Sequence, residues 1–281
     1  MKLTTFEHDG KQSYGAVVGE GIFDLGGRFA DLRALLAADA LDGIAATLSG
    51  VKPDFDLKEV AFLPVIPNPD KILCVGLNYE THRLETGRPV SEYPAIFTRF
   101  ADTQIGHEQP IIRPRVSSQL DYEGELAVVI GRGGRYIPES EVLGHIAGYA
   151  CYNDVTVRDW QRHTPQFTPG KNFPATGAFG PWMVTADEIS DLRNLTLTTR
   201  LNGRVVQHAA IGEMIFTIEQ LVAYISSFTP LRSGDVICTG TPGGVGFKRQ
   251  PALFMAPGDL IEVEVSGIGI LGNRVQDEVP S

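Results

Sequence analysis

The sequence predicts a β-dominated α+β fold, on three observations. Short apolar runs rich in Val, Ile, Thr and aromatic residues recur along most of the chain, separated by turns that contain Gly, Pro or Asn. Helical periodicity is confined to a few stretches. The regular crossover helices of a doubly wound parallel sheet are missing. The 281 residues suffice for one large domain, or for a small one plus a large one.

In chain order, "LTTFEHDG" and "SYGAVVG" read as a hairpin. "DLRALLAADALDGIAATL" reads as one helix, because Leu32, Leu35, Leu36, Leu41 and Ile44 fall on roughly one side. Pro64, Pro67 and Pro69 then break any regular element. A boundary is expected there, giving a small N-terminal α+β domain over 1–67 and a main domain over 68–281. Beyond it, "KILCVGLNY", "AIFTRF", "ELAVVIG", "IAGYACYNDVT", "PWMVT", "DVICTGT" and "LIEVEVSGIGILGNRV" read as strands. "LTLTTRLNGRVVQH" is a hairpin, since its Asn-Gly suits a two-residue turn. "TIEQLVAYISSF" is the clearest helix and "ESEVL" a short one.

Hydrophobic residues make up 43% and charged residues 21%, as in ordinary soluble proteins. A net charge of −10 argues against nucleic-acid binding, which needs a basic surface. It leaves room for a small anionic substrate held by a few convergent cations. No apolar run is long enough for a bilayer, and the first residues lack an apolar signal core, so no membrane association and a cytoplasmic location are expected. Cys74, Cys151 and Cys238 are widely spaced in apolar stretches and read as buried reduced thiols.

The chemistry concentrates in a few places. In "LDYEGELAVVIG", Glu123 and Glu125 flank Gly124 and share one face of a strand. They belong either to an edge strand facing solvent or to a covered strand, which the apolar run Leu126 to Ile130 favours. "YNDVTVRDWQ" ends a second apolar strand in Asp154, a functional acid or a helix N-cap. Three carboxylates without histidine or cysteine nearby suit a hard cation such as Mg²⁺, Mn²⁺ or Ca²⁺. His82 and Glu85 would share a face of a short helix running from an Asn78 N-cap to Gly87, by residues alone an ordinary solvated pair. Lys171, in "GKNF", does not complete a P-loop. Arg158 and Gln161 follow Asp154 at helical spacing, and Thr241 sits in the glycine-rich "TGTPGGVG", whose amides can cradle a carboxylate.

"KILCVGLNYETH", "DYEGELAVVIG", "YNDVTVRDWQ", "GKNF" and "GDVICTGTPGGVG", in this order, closely resemble the fumarylacetoacetate hydrolase family over about residues 70 to 275. The resemblance implies a mixed β-sandwich roll with a small variable N-terminal region, and a homodimer. It implies Glu123, Glu125 and Asp154 as ligands of Mg²⁺ or Mn²⁺. It makes His82 a general base oriented by Glu85 on a lid-like segment, and Lys171 a stabiliser of developing negative charge. Arg158 and Gln161 would contact substrate, and Thr241 with adjacent amides would bind its carboxylate. Arg99 stands where many relatives carry lysine. It would either add a bidentate contact to a further substrate carboxylate or be an ordinary surface arginine.

The implied activity is hydrolytic cleavage of a carbon–carbon bond in a 2,4-diketo acid, acylpyruvate-like or a 2,4-diketo-3-deoxy sugar acid. The products would be pyruvate, or a related 2-oxo acid, and a carboxylic acid. The alternative on the same metal site is an oxaloacetate-type decarboxylase or enol–keto tautomerase. A binding protein that has lost its chemistry is disfavoured by the intact residue set.

Overall fold

The protein is described by a computed structural model covering residues 1–48 and 50–280. At the N-terminus, β1 (Lys2–His8) and β2 (Lys11–Val18) close the expected hairpin through Asp9 and Gly10, at φ 49° and 73°. β3 (Gly21–Asp24) and β4 (Phe55–Asp56) extend it. The single helix expected between them is two, α1 (Leu32–Ala37) and α2 (Leu41–Ala45). Asp39, at φ 51°, breaks it, because a left-handed residue cannot continue a right-handed helix. The break still turns Leu32, Leu35, Leu36 and Ile44 into the core.

The main part contributes β5 (Ile72–Gly76), α3 (Glu80–Thr86), β6 (Ala95–Arg99), β7 (Gly124–Ile130) and β8 (Ile146–Asp154). It continues with α4 (Arg158–Gln161), α5 (Thr168–Lys171), β9 (Gly177–Thr185), α6 (Ile218–Phe228) and β10 (Val236–Cys238). The strands run β4-β3-β2-β1-β9-β8-β7-β10-β5-β6 across one large sheet. Neighbours are antiparallel except β10 and β5. Just after β6, Gln104–Ile105 pairs with β9, four strands away from β5, so the sheet rolls on itself. A second sheet orders Arg204–Ala210, Thr196–Leu201, Leu260–Val265, Gly269–Asp277 and Ile111–Arg113. Its first two strands are the Asn-Gly hairpin, with Asn202 and Gly203 at φ 52° and 77°.

β7 explains why its sequence shows no polar face. Leu126, Val128 and Ile130 pack with Leu197, Val263 and α6 residues such as Leu221. Ala127 and Val129 enter a second core with Leu3, Leu35 and Leu36. A strand covered on both faces has nothing to gain from alternation. The fold is the expected β-dominated α+β roll. No helix among the described residues is long and apolar enough to cross a membrane. All three cysteines are buried free thiols.

Strand directions gather chain ends on one rim of the sheet. The start of β7 meets the ends of β8 and β10, and the parallel β5 ends beside β10. Every candidate residue except Arg99 lies in, or close beside, one of those ends or in the short helices nearby.

Candidate active site

Glu123 immediately precedes β7, Glu125 is its second residue and Asp154 is the last residue of β8. The Asp154 amide donates to the Glu123 carbonyl at 2.9 Å, which brings the two strand ends together. One carboxylate oxygen from each of Glu123, Glu125 and Asp154 lies within 4.8 Å of the others, and all three residues are buried. β7 is central, between β8 and β10, so the solvent-facing edge strand is excluded. Asp154 is not a helix cap either, since Val157 holds that position for α4. Gly124 is required between the acids, because a Cβ there would lie 2.1 Å from Thr199 Oγ1 of the second sheet.

Buried carboxylates need compensation, and three cations supply part of it. Lys171 Nζ donates to Glu123 Oε2 at 2.8 Å and to Asp154 Oδ2 at 2.5 Å. Arg158 Nη1 lies 2.6 Å from Glu123 Oε1, and Arg99 Nη1 donates to Asp154 Oδ1 at 2.6 Å. Burial alone would raise the Glu123 carboxyl, but Lys171 and Arg158 hold it down at about 2. Glu125 goes the other way. Burial and the neighbouring Asp154 and Glu123 charges push it well above the ordinary carboxylate range. An all-oxygen donor set in which Glu125 has no ion-pair partner among the described residues, only the Gly240 amide, fits a hard divalent cation.

Burial disfavours the charged form of the Lys171 ammonium, but Asp154 and Glu123 outweigh that and raise its pKa. The side chain is only 1% exposed, so this is not a solvated loop lysine. It is delivered by α5, which packs beside α4.

His82 is buried on α3, and its Nδ1 lies 2.7 Å from Glu85 Oε1. The other Glu85 oxygen accepts the Gly244 amide at 2.9 Å, and Thr81 Oγ1 accepts the Gly243 amide at 3.0 Å. The expected Gly87 terminus is present, at φ 69°. The Asn78 cap is not, and Tyr79 takes that position without a side-chain bond. Asn78 instead donates to the carbonyls of Thr239 and Phe216 and accepts the Phe216 amide. Buried against β10, it ties chain crossings together and is not available to α3.

A cavity of about 500 Å³ opens over these groups, with His82, Glu123, Arg158, Gln161, Lys171 and Thr241 in its wall. Gln161 Oε1 accepts from Arg158 Nη1 at 3.0 Å. Thr241 Oγ1 donates to the Gly124 carbonyl and accepts from Gln207, so its hydroxyl proton is committed to the protein. Arg99 is the correction. Expected at the substrate or on the surface, its side chain is fully buried behind Asp154, where it also bonds Val155 O and Thr176 Oγ1. The roll of the sheet puts β6 behind the acids, so Arg99 does not line the cavity.

Two residues escaped the sequence reading. Asp121 is fully buried and accepts four bonds, from Arg158 Nε and the amides of Tyr122, Gly246 and Phe247. The signal was present, since Asp121, Glu123 and Glu125 repeat at i, i+2 and i+4. Gln207, on the Asn-Gly hairpin, accepts the Gly124 amide and donates to Thr241 and the Pro242 carbonyl. Nothing local marks it.

Residues 71–276 match the family model described as fumarylacetoacetate (FAA) hydrolase C-terminal. The chain is 39% identical over 266 residues to the mitochondrial oxaloacetate tautomerase FAHD2A of Bos taurus, covering 92% of this chain and 84% of that protein. Among solved structures, it is similar to the fumarylacetoacetate hydrolase of Exiguobacterium antarcticum, with TM-score 0.84 and 32% identity over 99% of this chain and all of that one. A maleylpyruvate hydrolase from Sphingobium sp. SYK-6 gives TM-score 0.84 and 25% identity, with 99% of this chain and 100% of that chain covered.

Proposed function

The chain belongs to the fumarylacetoacetate hydrolase family, and from that premise we propose that it is a divalent-metal-dependent enol–keto tautomerase of a small 2-oxo acid, with oxaloacetate the candidate substrate. The observation that carries the reading is that one cavity is lined by a carboxylate-oriented histidine and by Glu123, a member of the buried three-carboxylate cluster. Its likeness to oxaloacetate tautomerases supports the choice of reaction.

Glu123, Glu125 and Asp154 would hold Mg²⁺ or Mn²⁺, which when bound supplies Lewis-acid polarisation of the 2-oxo group. Glu85 fixes the ring of His82 through Nδ1 and leaves Nε2 to exchange a proton with the substrate. That proton leaves C3 and is returned to the 2-oxo oxygen, or the reverse. Lys171, kept protonated by its acidic neighbours, stands where negative charge develops on that oxygen. Arg158 Nη2 is buried without a partner and is a ready donor to the substrate carboxylate. Gln161 and the loop amides around Thr241 shape the same wall.

A second reading, hydrolysis of a 2,4-diketo acid, keeps the site and gives His82 a water to activate. The cavity volume favours it, because about 500 Å³ leaves space beyond a four-carbon acid. The working form in either case is proposed to be a homodimer.

The test follows the enol absorbance of freshly dissolved oxaloacetate with Mg²⁺, alongside pyruvate release from acetylpyruvate and fumarylpyruvate. Wild type is expected to speed enol–keto exchange. Asp154→Ala and His82→Ala should each lose at least about a hundredfold, the usual scale of general acid–base catalysis. Pyruvate from the diketo acids with no effect on oxaloacetate would replace tautomerisation with hydrolysis. Full activity in Asp154→Ala would defeat both.

A further inference from the structure

We infer that Arg162 and Lys248, gathered with Arg158 around the ring of Phe247, form a subsite for a second carboxylate, so that the cavity prefers 2-oxo dicarboxylates to 2-oxo monocarboxylates. The inference rests on the reading of the cavity as a 2-oxo acid site, and concerns the end of the substrate that the acidic floor does not hold.

Arg158 Cζ, Lys248 Nζ and Arg162 Cζ lie 4.4, 5.3 and 5.6 Å from the centre of the Phe247 ring. One aromatic ring attracts a cation, but three cations on one ring repel each other. The imbalance extends to the whole wall. Five permanent cations line it (Arg88, Arg158, Arg162, Lys171 and Lys248), against Glu123 as the one acid. This occurs in a chain of net charge −10.

Lys171 and Arg158 are taken up by Glu123, Asp154 and Asp121. Among the described residues, no carboxylate lies within ion-pair distance of Arg162 or Lys248. Arg162 is nonetheless held in place, with Nε on the Arg158 carbonyl at 3.0 Å and Nη2 on Gln119 Oε1 at 2.9 Å, which leaves Nη1 uncommitted. The Phe247 amide donates to Asp121 Oδ2 at 3.0 Å, and that oxygen also receives Arg158 Nε at 2.8 Å. One buried carboxylate thus anchors both the ring and the arginine at the floor. Positive charge that is crowded on one ring and, at Arg162 and Lys248, exposed and without an acidic partner beside a cavity is the arrangement that an anionic group relieves.

The experiment compares 2-oxoglutarate with 2-oxovalerate, which have equal chain length and differ only in the terminal carboxylate. Binding to the Mg²⁺-loaded protein is measured by titration calorimetry, with oxalate as a probe of the floor. Wild type is expected to bind 2-oxoglutarate about tenfold more tightly or better, the scale of one charge-assisted hydrogen bond. Lys248→Gln should cut that ratio about threefold and Lys248→Glu should remove it, as the partner of such a bond is lost or reversed. Affinity for 2-oxovalerate should not change in either variant, which also confirms folding. Oxalate and 2-oxovalerate binding with a ratio near one in wild type, or an unchanged ratio in Lys248→Glu, overturns the subsite while the 2-oxo acid reading survives. Failure of oxalate and both 2-oxo acids to bind overturns that reading and the subsite with it.

Discussion

At the scale of single residues, burial decides which charges carry information. Lys171 lies in the loop-like "TPGKNFP" and Arg99 in the strand-like "AIFTRF", and neither stretch shows where its charge goes. Both prove buried among carboxylates, yet only Lys171 lines the cavity. Residue type told which chemistry was possible, and the direction of the side chain told which was accessible.

His107 shows the same logic in a structural setting. Its Nδ1 accepts the Gly272 amide at 3.0 Å. Burial holds its pKa below 6.5, against a smaller opposing effect of Glu108. The unfolded chain therefore takes up this proton before the folded one does. Its contribution is fully present above the unfolded value of 6.5, and falls as pH drops towards the lower folded value. We expect wild type to lose more stability than His107→Gln between about pH 7.5 and about pH 5.5, by denaturant unfolding at each pH. Equal losses would remove His107 from the acid response.

At the scale of elements, α3 is docked on the glycine-rich loop after β10 by two backbone amides. Gly243 donates to Thr81 and Gly244 to Glu85. Gly244 takes φ 104°, and a Cβ there would lie 2.2 Å from the Val206 carbonyl, so this loop can present its amides only with glycine. Thr81 is thus a positioning residue for the His82–Glu85 pair. Thr81→Val should lower kcat about threefold with little change in KM, consistent with loss of one exposed hydrogen bond. Amide exchange in α3 should quicken, and Thr81→Ser should restore both. Unchanged exchange would mean that packing alone holds the helix. The glycine run was legible as a loop, but not as the seat of the helix that carries His82.

At the scale of the molecule, the first 67 residues share a sheet with the site. β1 pairs with β9 at Lys2↔Val184 and Leu3↔Met183, and Leu3, Leu35 and Leu36 belong to the same core as Ala127, Val129 and Tyr152. Tyr152 lies two residues before Asp154 on β8. A chain beginning at residue 68 would expose that core and leave β9 without β1. We expect such a fragment to aggregate or to melt without a cooperative calorimetric transition. A soluble fragment with a sharp transition and wild-type Mn²⁺ affinity would make 68–281 an independent domain.

Much of this protein was determined by the sequence alone, because it depends on near neighbours. The parity that puts Glu123 and Glu125 on one face, the Asn-Gly hairpin, the amphipathic α6 and the break at Gly87 are all set within a few residues. The donor types of the acidic cluster, all carboxylate oxygens, were likewise legible in the sequence. The tertiary structure alone decided that Arg99 stands behind Asp154, that Asp121 braces Arg158 and Phe247, and that Asn78 and Gln207 tie separate strands together. Those partners lie from tens of residues to more than a hundred apart in the chain. Desolvation and Coulomb attraction act through space, and only the rolled sheet sets which charges share that space.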